Sequence, residues 1–362
     1  MGKKSNIIGI DLGYEKIQAG FFDNTCVEPL IIANSNGIEV FSEDNIKKVF
    51  NDLKDNIGCE YTQNMVIAIP GAFNYMQRGM IKNIALENNI NISRFIHKSS
   101  AAATAFGYEL TKMQDIKDKT IVVCIIDEGL FEVAIAEIGE GVIEMCAIDW
   151  DNNFNEKDID IEKFNTIFEN IILTRKNQLV EAAISRGESV SEIKFTVDEI
   201  DDVLFVANHN VNSILKPLVT DFFRKTPNIS YNTERLIVNG ASIQAAILNG
   251  DIKDVLLLDI TSLSFWIRIS DDKMIKVINR NTAIPTRSSF DFSVSKSNSF
   301  AVEIFQGESE HAAQNCCIGN IILPKLYDGD FDIVLDIDAN GILHVTIIDT
   351  LKNKEVYSTL LS

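Results

Sequence analysis

Twice this chain drives an apolar strand into a tight turn and straight out again into a second strand. The first copy is Ile7-Ile8-Gly9-Ile10-Asp11-Leu12-Gly13, followed by the strand Lys16–Phe22. The second is Ile121-Val122-Val123-Cys124-Ile125-Ile126-Asp127, which returns through Leu130-Phe131-Glu132-Val133. A turn of this kind can hold a phosphate when its backbone N–H groups lie bare, which needs glycine and the absence of carboxylates. Here the turns read Gly13-Tyr14-Glu15 and Asp127-Glu128-Gly129-Leu130. Carboxylates placed where a triphosphate would lie repel it. The strands of an anion site are present and its chemistry is missing.

Around these hairpins, residues 1–250 alternate strands and helices, which reads as α/β. Met65–Pro70 is an apolar strand, followed by a helix to about Asn88 with Ile81, Ile84 and Ala85 on one face. A strand near Phe95 leads into the small-residue helix Ser99–Tyr108. Strands 120–126, 131–138 and 142–148 form a meander joined by Gly139-Glu140-Gly141. Residues 151–202 are polar and helical, and their acidic clusters are solvated faces. Strand 203–207 precedes helix 211–224, and Glu234–Leu248 is a helix with Gly240 and Ala241 for close contact. Residues 251–260 form a linker around Val255-Leu256-Leu257-Leu258. From 261 to 362 the period changes to 2: Phe300/Val302/Ile304, then Ile333/Leu335/Ile337, then Ile342/His344/Thr346 after the turn Ala339-Asn340-Gly341. An Asn-Gly turn between alternating runs signals a hairpin, so this part is a β-sandwich domain.

A chain of 362 residues with 46% hydrophobic residues has the material for two domains. Its net charge of −19 argues against nucleic acid and anionic membrane as partners, because no basic stripe exists to displace counterions. Met1-Gly2-Lys3-Lys4-Ser5 opens directly onto the first strand without an apolar leader, and no run reaches membrane-span length. The six cysteines form no CxxC pair and the four histidines lie far apart, so no metal site is expected. Free thiols in a reducing cytoplasm are the expectation.

Taken together the blocks resemble Hsp70 (DnaK-family) chaperones over most of the chain. The resemblance rests on IGIDLG (8–13), VIAIPGAFNYMQR (66–78), AAATAFGYEL (101–110) and EIGEGVIEMCA (137–147). It continues in AAILNGDIKDVLLLDIT (245–261), INRNTAIPT (278–286), FQGE (305–308) and DIDANGILHVT (336–346). It implies an α/β actin-like ATPase-type domain over 1–250, an interdomain linker over 251–260, and a β-sandwich substrate-binding-type domain over 261–362. Between Phe22 and Met65, and between Ala147 and Val203, the chain is far shorter than the family's ATPase domain, which implies reduced upper subdomains. It stops at Ser362, just after the last strand, where the family carries a helical lid.

The departures bear on function. The two phosphate-contacting threonines of the family are Tyr14 and Glu15 here, and the acid that positions metal and water is Ile125. The family's Asn-Glu-Pro-Thr is His97-Lys98-Ser99-Ser100, and its adenosine-contacting Gly-Gly-Ser is Ala207-Asn208-His209. Of the expected nucleotide contacts only Asp11, Gly13, Gly129 and Gly240 remain, as a vestigial site. Lys98 can pair with phosphate or with Asp11. Phosphoryl transfer needs metal, lysine and positioned water together, so neither a catalytic residue nor a cofactor is expected. ATP or ADP with Mg²⁺ enters only if the vestigial site works.

The resemblance also implies a peptide cleft lined by Ile267, Phe292, Val302 and Ile304, with Ser270 and Ser295 at altered arch positions and Trp266 beside Ile267. The chain therefore reads as a degenerate Hsp70-like protein without ATPase activity. Such a protein binds extended apolar segments of unfolded polypeptide weakly, or serves as a docking scaffold for other chaperone components. The alternative is a minimal ATP-hydrolysing Hsp70 chaperone that assists folding, in which Asp11 holds Mg²⁺ through water.

Overall fold

The computed structural model describes residues 8–13, 16–22, 27–34, 42–57, 64–113, 117–127, 129–155, 158–207, 209–228, 233–268, 274–294, 300–323 and 329–361. The chain divides into two compact units. One comprises Met1–Gly71 with Lys82–Leu258, the other Ala72–Ile81 with Asp259–Ser362.

The first unit contains two five-stranded sheets built on one plan. In the first sheet, β1 (Ile8–Leu12), β2 (Lys16–Phe22) and β3 (Val27–Asn34) form an antiparallel meander, and β4 (Met65–Ile69) and β5 (Ile92–His97) continue it in parallel from the β1 edge. In the second sheet, β6 (Lys119–Asp127), β7 (Leu130–Gly139) and β8 (Val142–Asp151) form the meander, and β9 (Asp202–Val206) lies parallel to β6. Parallel neighbours need crossovers, which helices supply. These are α1 (Glu43–Ile57) before β4, α2 (Tyr75–Glu87) before β5, and the 26-residue α4 (Ile161–Arg186) before β9.

Two helices pack against each other and against the two sheets. Helix α6 (Thr233–Asn249) packs on β1, β2 and β4, while α3 (Lys98–Met113) packs on β6, β7 and β8. Their contact is close enough to require glycine. A Cβ on Gly240 would lie 1.7 Å from the carbonyl oxygen of Ala101, and one on Gly9 would lie 2.1 Å from the Ser242 nitrogen. The second lobe is sealed by aromatic packing. Phe164, Ile167, Phe168 and Ile171 form the buried stripe of α4 at helical spacing, and Phe164 stacks on Phe131 with centroids 4.5 Å apart. Asp160 caps this helix by accepting from the Lys163 N–H, and Gly187 ends it in the left-handed region.

The linker enters this unit as a strand. β10 (Leu256–Leu258) pairs in parallel with Val142–Glu144 of β8, so the second sheet also has five strands. Strand alternation then separates its side chains: Val255 and Leu257 are buried, while Leu256 is 51% exposed. The helix expected over 211–224 is α5 (His209–Phe223). No helix among the described residues is long and apolar enough to cross a membrane.

The second unit holds two four-stranded antiparallel sheets. One has the order β12-β11-β14-β15, from β11 (Phe265–Arg268), β12 (Met274–Ile278), β14 (Phe300–Gln306) and β15 (Cys316–Leu323). The other has the order β13-β16-β17-β18, from β13 (Thr286–Val294), β16 (Gly329–Ile337), β17 (Leu343–Asp349) and β18 (Lys354–Leu361). Both sheets send apolar side chains into one cluster, including Phe265, Ile267, Val302 and Ile304 from the first and Ile333, Leu335 and Val345 from the second. Tyr75 belongs to this cluster. Its ring meets Phe265 edge-on at 5.6 Å, its N–H donates to Gln306 Oε1 at 2.7 Å, and its hydroxyl donates to the Gly341 carbonyl.

One strand faces the other way from its sequence pattern. The buried side of β17 is Leu343, Val345 and Ile347, not the Ile342/His344/Thr346 series. A two-residue Asn-Gly turn would set Ile337 opposite His344, but the observed partner is Leu343. The loop is five residues long, held by the Asp338 carboxylate, which accepts from the N–H groups of Asn340 and Ile342. That one-residue offset exchanges the faces.

Candidate functional site

At the end of β1, the start of α3 and the end of β6, three charged side chains meet. Lys98 is the first residue of α3 and is 1% exposed. Its ammonium donates to Asp11 Oδ1 and to Asp127 Oδ2, each at 2.9 Å. Asp11 comes from the first sheet and Asp127 from the second, so one cation joins the turns that the sequence marks as anion sites. Burial by itself lowers the affinity of a lysine for its proton, yet the two carboxylates outweigh it and hold Lys98 above the ordinary range. Burial pushes the Asp11 carboxyl up; Lys98 offsets part of this, and the neighbouring Asp127 charge adds to it. With both acids ionised, one ammonium shared between them leaves the trio one negative charge in excess.

A second carboxylate completes the arrangement. Glu132 on β7 has no solvent exposure and accepts from the Gly71 N–H at 2.7 Å and the Ser99 N–H at 3.0 Å. The amides at a helix N-terminus are a ready anion site. Here a protein carboxylate takes the Ser99 amide, so the chain supplies its own anion at α3 and its own cation beside it. The Ser99 hydroxyl and Gln18 Oε1, whose residue pairs with Asp11 across the strands, are buried without hydrogen-bond partners among the described residues.

Two of the three glycines expected at the nucleotide site have structural causes of their own. Gly240 is dictated by the contact with Ala101, and Gly129 turns the chain between β6 and β7 at φ 77° with open space about it. Gly13 is buried after β1, and Ile125 lies in the core of β6. Ala207 is buried after β9, and His209 opens α5. Tyr14, Glu15, Glu128 and Asn208 lie outside the described residues. Among those described, no group of three His, Cys, Asp or Glu side chains could hold a metal ion. Mg²⁺-nucleotide does not fit these residues: the carboxylate beside which a cation would sit is bonded to Lys98, and the helix amide is bonded to Glu132.

Glu132 is the site residue that motif reading passed over. Its signal was a lone acid in the apolar strand Leu130-Phe131-Glu132-Val133-Ala134-Ile135, where an unpaired charge would be prohibitive.

In the second unit Ile267, Val302 and Ile304 are brought together with no solvent exposure, and Ile267 stands directly opposite Ile304. Phe292 is half-buried beside them and stacks on Phe331 at 5.6 Å. Trp266 alternates to the other face of β11, where its indole N–H donates to the Gly307 carbonyl at 2.8 Å, so it takes no space from Ile267. Ser270 and Ser295 lie outside the described residues.

A family model described as Hsp70 protein matches residues 39–186 and 156–360 of this chain.

Proposed function

This chain belongs to the Hsp70 family, and we propose that within it the chain is a chaperone-related docking scaffold without ATPase activity. The observation that carries this reading is the Lys98 ammonium held at 2.9 Å by both Asp11 and Asp127. Turnover of ATP needs a metal, phosphate-binding amides and positioned water. Lys98 and Glu132 satisfy internally the groups that would serve those roles. Titration of the pure protein with Mg²⁺-ATP tests the proposal. No heat is expected at concentrations where a micromolar site, about −8 kcal/mol, would saturate. Saturable heat there, or steady phosphate release above buffer, overturns it.

A second reading places weak capture of extended apolar peptide in the two-sheet unit, read as the family's β-sandwich. Phe292, half-buried at the edge of the Ile267/Val302/Ile304 cluster, favours it. An extended segment would need those three side chains uncovered, which gives a slow or low-population opening step. Fluorescence anisotropy with a labelled Leu-rich peptide separates the two readings. Binding that Val302→Phe abolishes assigns the peptide to this cluster, and absence of binding by the unaltered protein leaves the scaffold alone.

A further inference from the structure

We propose that Lys98 is a built-in counter-ion which takes over the work of a separate cation and joins the two lobes of the first unit permanently. This deepens the reading of the chain as nucleotide-independent. Asp11 belongs to the first sheet and Asp127 to the second, and both bonds converge on one nitrogen at 2.9 Å. Glu132 adds a second crossing, from β7 of the second sheet to the Gly71 amide beyond β4 of the first. The joint is therefore covalently part of the chain at its cation and cannot be diluted away. A bound cofactor cation joins lobes only while it is present; a side chain does so always.

The arrangement has a testable corollary. Two carboxylates that share one ammonium lie close enough to share one divalent ion after small rotations, since such ions bond oxygen at about 2.0–2.6 Å. Removing the lysine takes away the ammonium they share. Lys98→Ala therefore creates affinity for a divalent ion that the unaltered protein lacks.

The experiment compares thermal unfolding of the full chain and of Lys98→Ala, in EDTA and in millimolar MnCl₂, with Mn²⁺ uptake followed by electron paramagnetic resonance. In EDTA the variant is expected to melt roughly 10 °C below the unaltered protein. Mn²⁺ is expected to restore several degrees with uptake of one ion, and to leave the unaltered protein unchanged. Lys98→Ala combined with Asp127→Asn loses the uptake. The proposal is overturned if Lys98→Ala melts with the unaltered protein, or if the unaltered protein itself takes up Mn²⁺ and gains stability. If Lys98→Ala does not fold, Asp127→Asn carries the test, since it keeps Lys98 on Asp11: a drop of several degrees supports the joint and an unchanged melting temperature overturns it. Heat from Mg²⁺-ATP with Lys98 in place would defeat the functional reading alone, whereas metal indifference of Lys98→Ala would defeat this inference alone.

Discussion

A lysine at the first position of a helix faces the positive end of the helix dipole, and a buried one also loses its hydration. Lys98 has both handicaps, and only two carboxylates at bonding distance make its position tenable. The same reasoning applies with opposite sign to buried thiols, whose neutral form is favoured by burial. Burial pushes the Cys146 thiol up to about 12, against an ordinary value of 9.0, with Arg175 offsetting a little of the effect. The folded pKa lies above the unfolded one, so this contribution to stability is whole below about pH 9 and is lost as pH climbs towards 12. The stability difference between the protein and Cys146→Ala should therefore shrink above pH 9, by at most about 1.4 kcal/mol per pH unit. Urea unfolding at pH 7.5, 9 and 10 measures it, and a pH-independent difference would contradict the burial. The acid in β7 was visible in the sequence, but which amides it serves was not, because Gly71 and Ser99 lie 61 and 33 residues away.

At the scale of elements, the linker strand is the informative piece. Three consecutive leucines in the sequence suggest a uniformly sticky segment, yet a strand turns alternate residues to opposite faces. Val255 and Leu257 bury and Leu256 does not. Leu257→Ala should cost about 2–3 kcal/mol, within the range for deleting a buried leucine, while Leu256→Ala should stay within about 0.5 kcal/mol. The companion measurement is hydrogen exchange at Val142–Glu144, which should quicken only in the Leu257 variant. Equal effects of the two substitutions would mean that β10 does not hold its register. Strand β17 teaches the converse lesson. Its apolar alternation was legible, but its facing was set by the five-residue loop around Asp338, and loop length decides parity.

Across the whole molecule, each unit has its own apolar cluster, Phe131 and its aromatic neighbours in one and Ile304 with Leu335 in the other. The chain's two tryptophans, Trp150 in β8 and Trp266 in β11, report on one unit each. Ile304→Ala removes side-chain volume from the second cluster and should cost about 2–5 kcal/mol there. In a Trp150→Phe background the Trp266 transition is expected to move to lower urea, while in a Trp266→Phe background the Trp150 transition should move less. Equal shifts would show that the two units unfold as one cooperative body.

Local chemistry by itself determined the repeated strand-turn-strand plan, the small-residue helix, the meander through Gly139-Glu140-Gly141 and the carboxylates carried by the two turns. Those features depend on residues adjacent in the chain, where periodicity and turn chemistry act directly. Tertiary structure alone decided that Asp11, Lys98 and Asp127 share one ammonium, that Glu132 takes the amide at the start of α3, and that Gly240 lies against the Ala101 carbonyl. Each of these joins residues far apart in sequence. Their meaning depends on a distance of a few ångströms, and over that distance a carboxylate can either repel a phosphate or hold a lysine in its place.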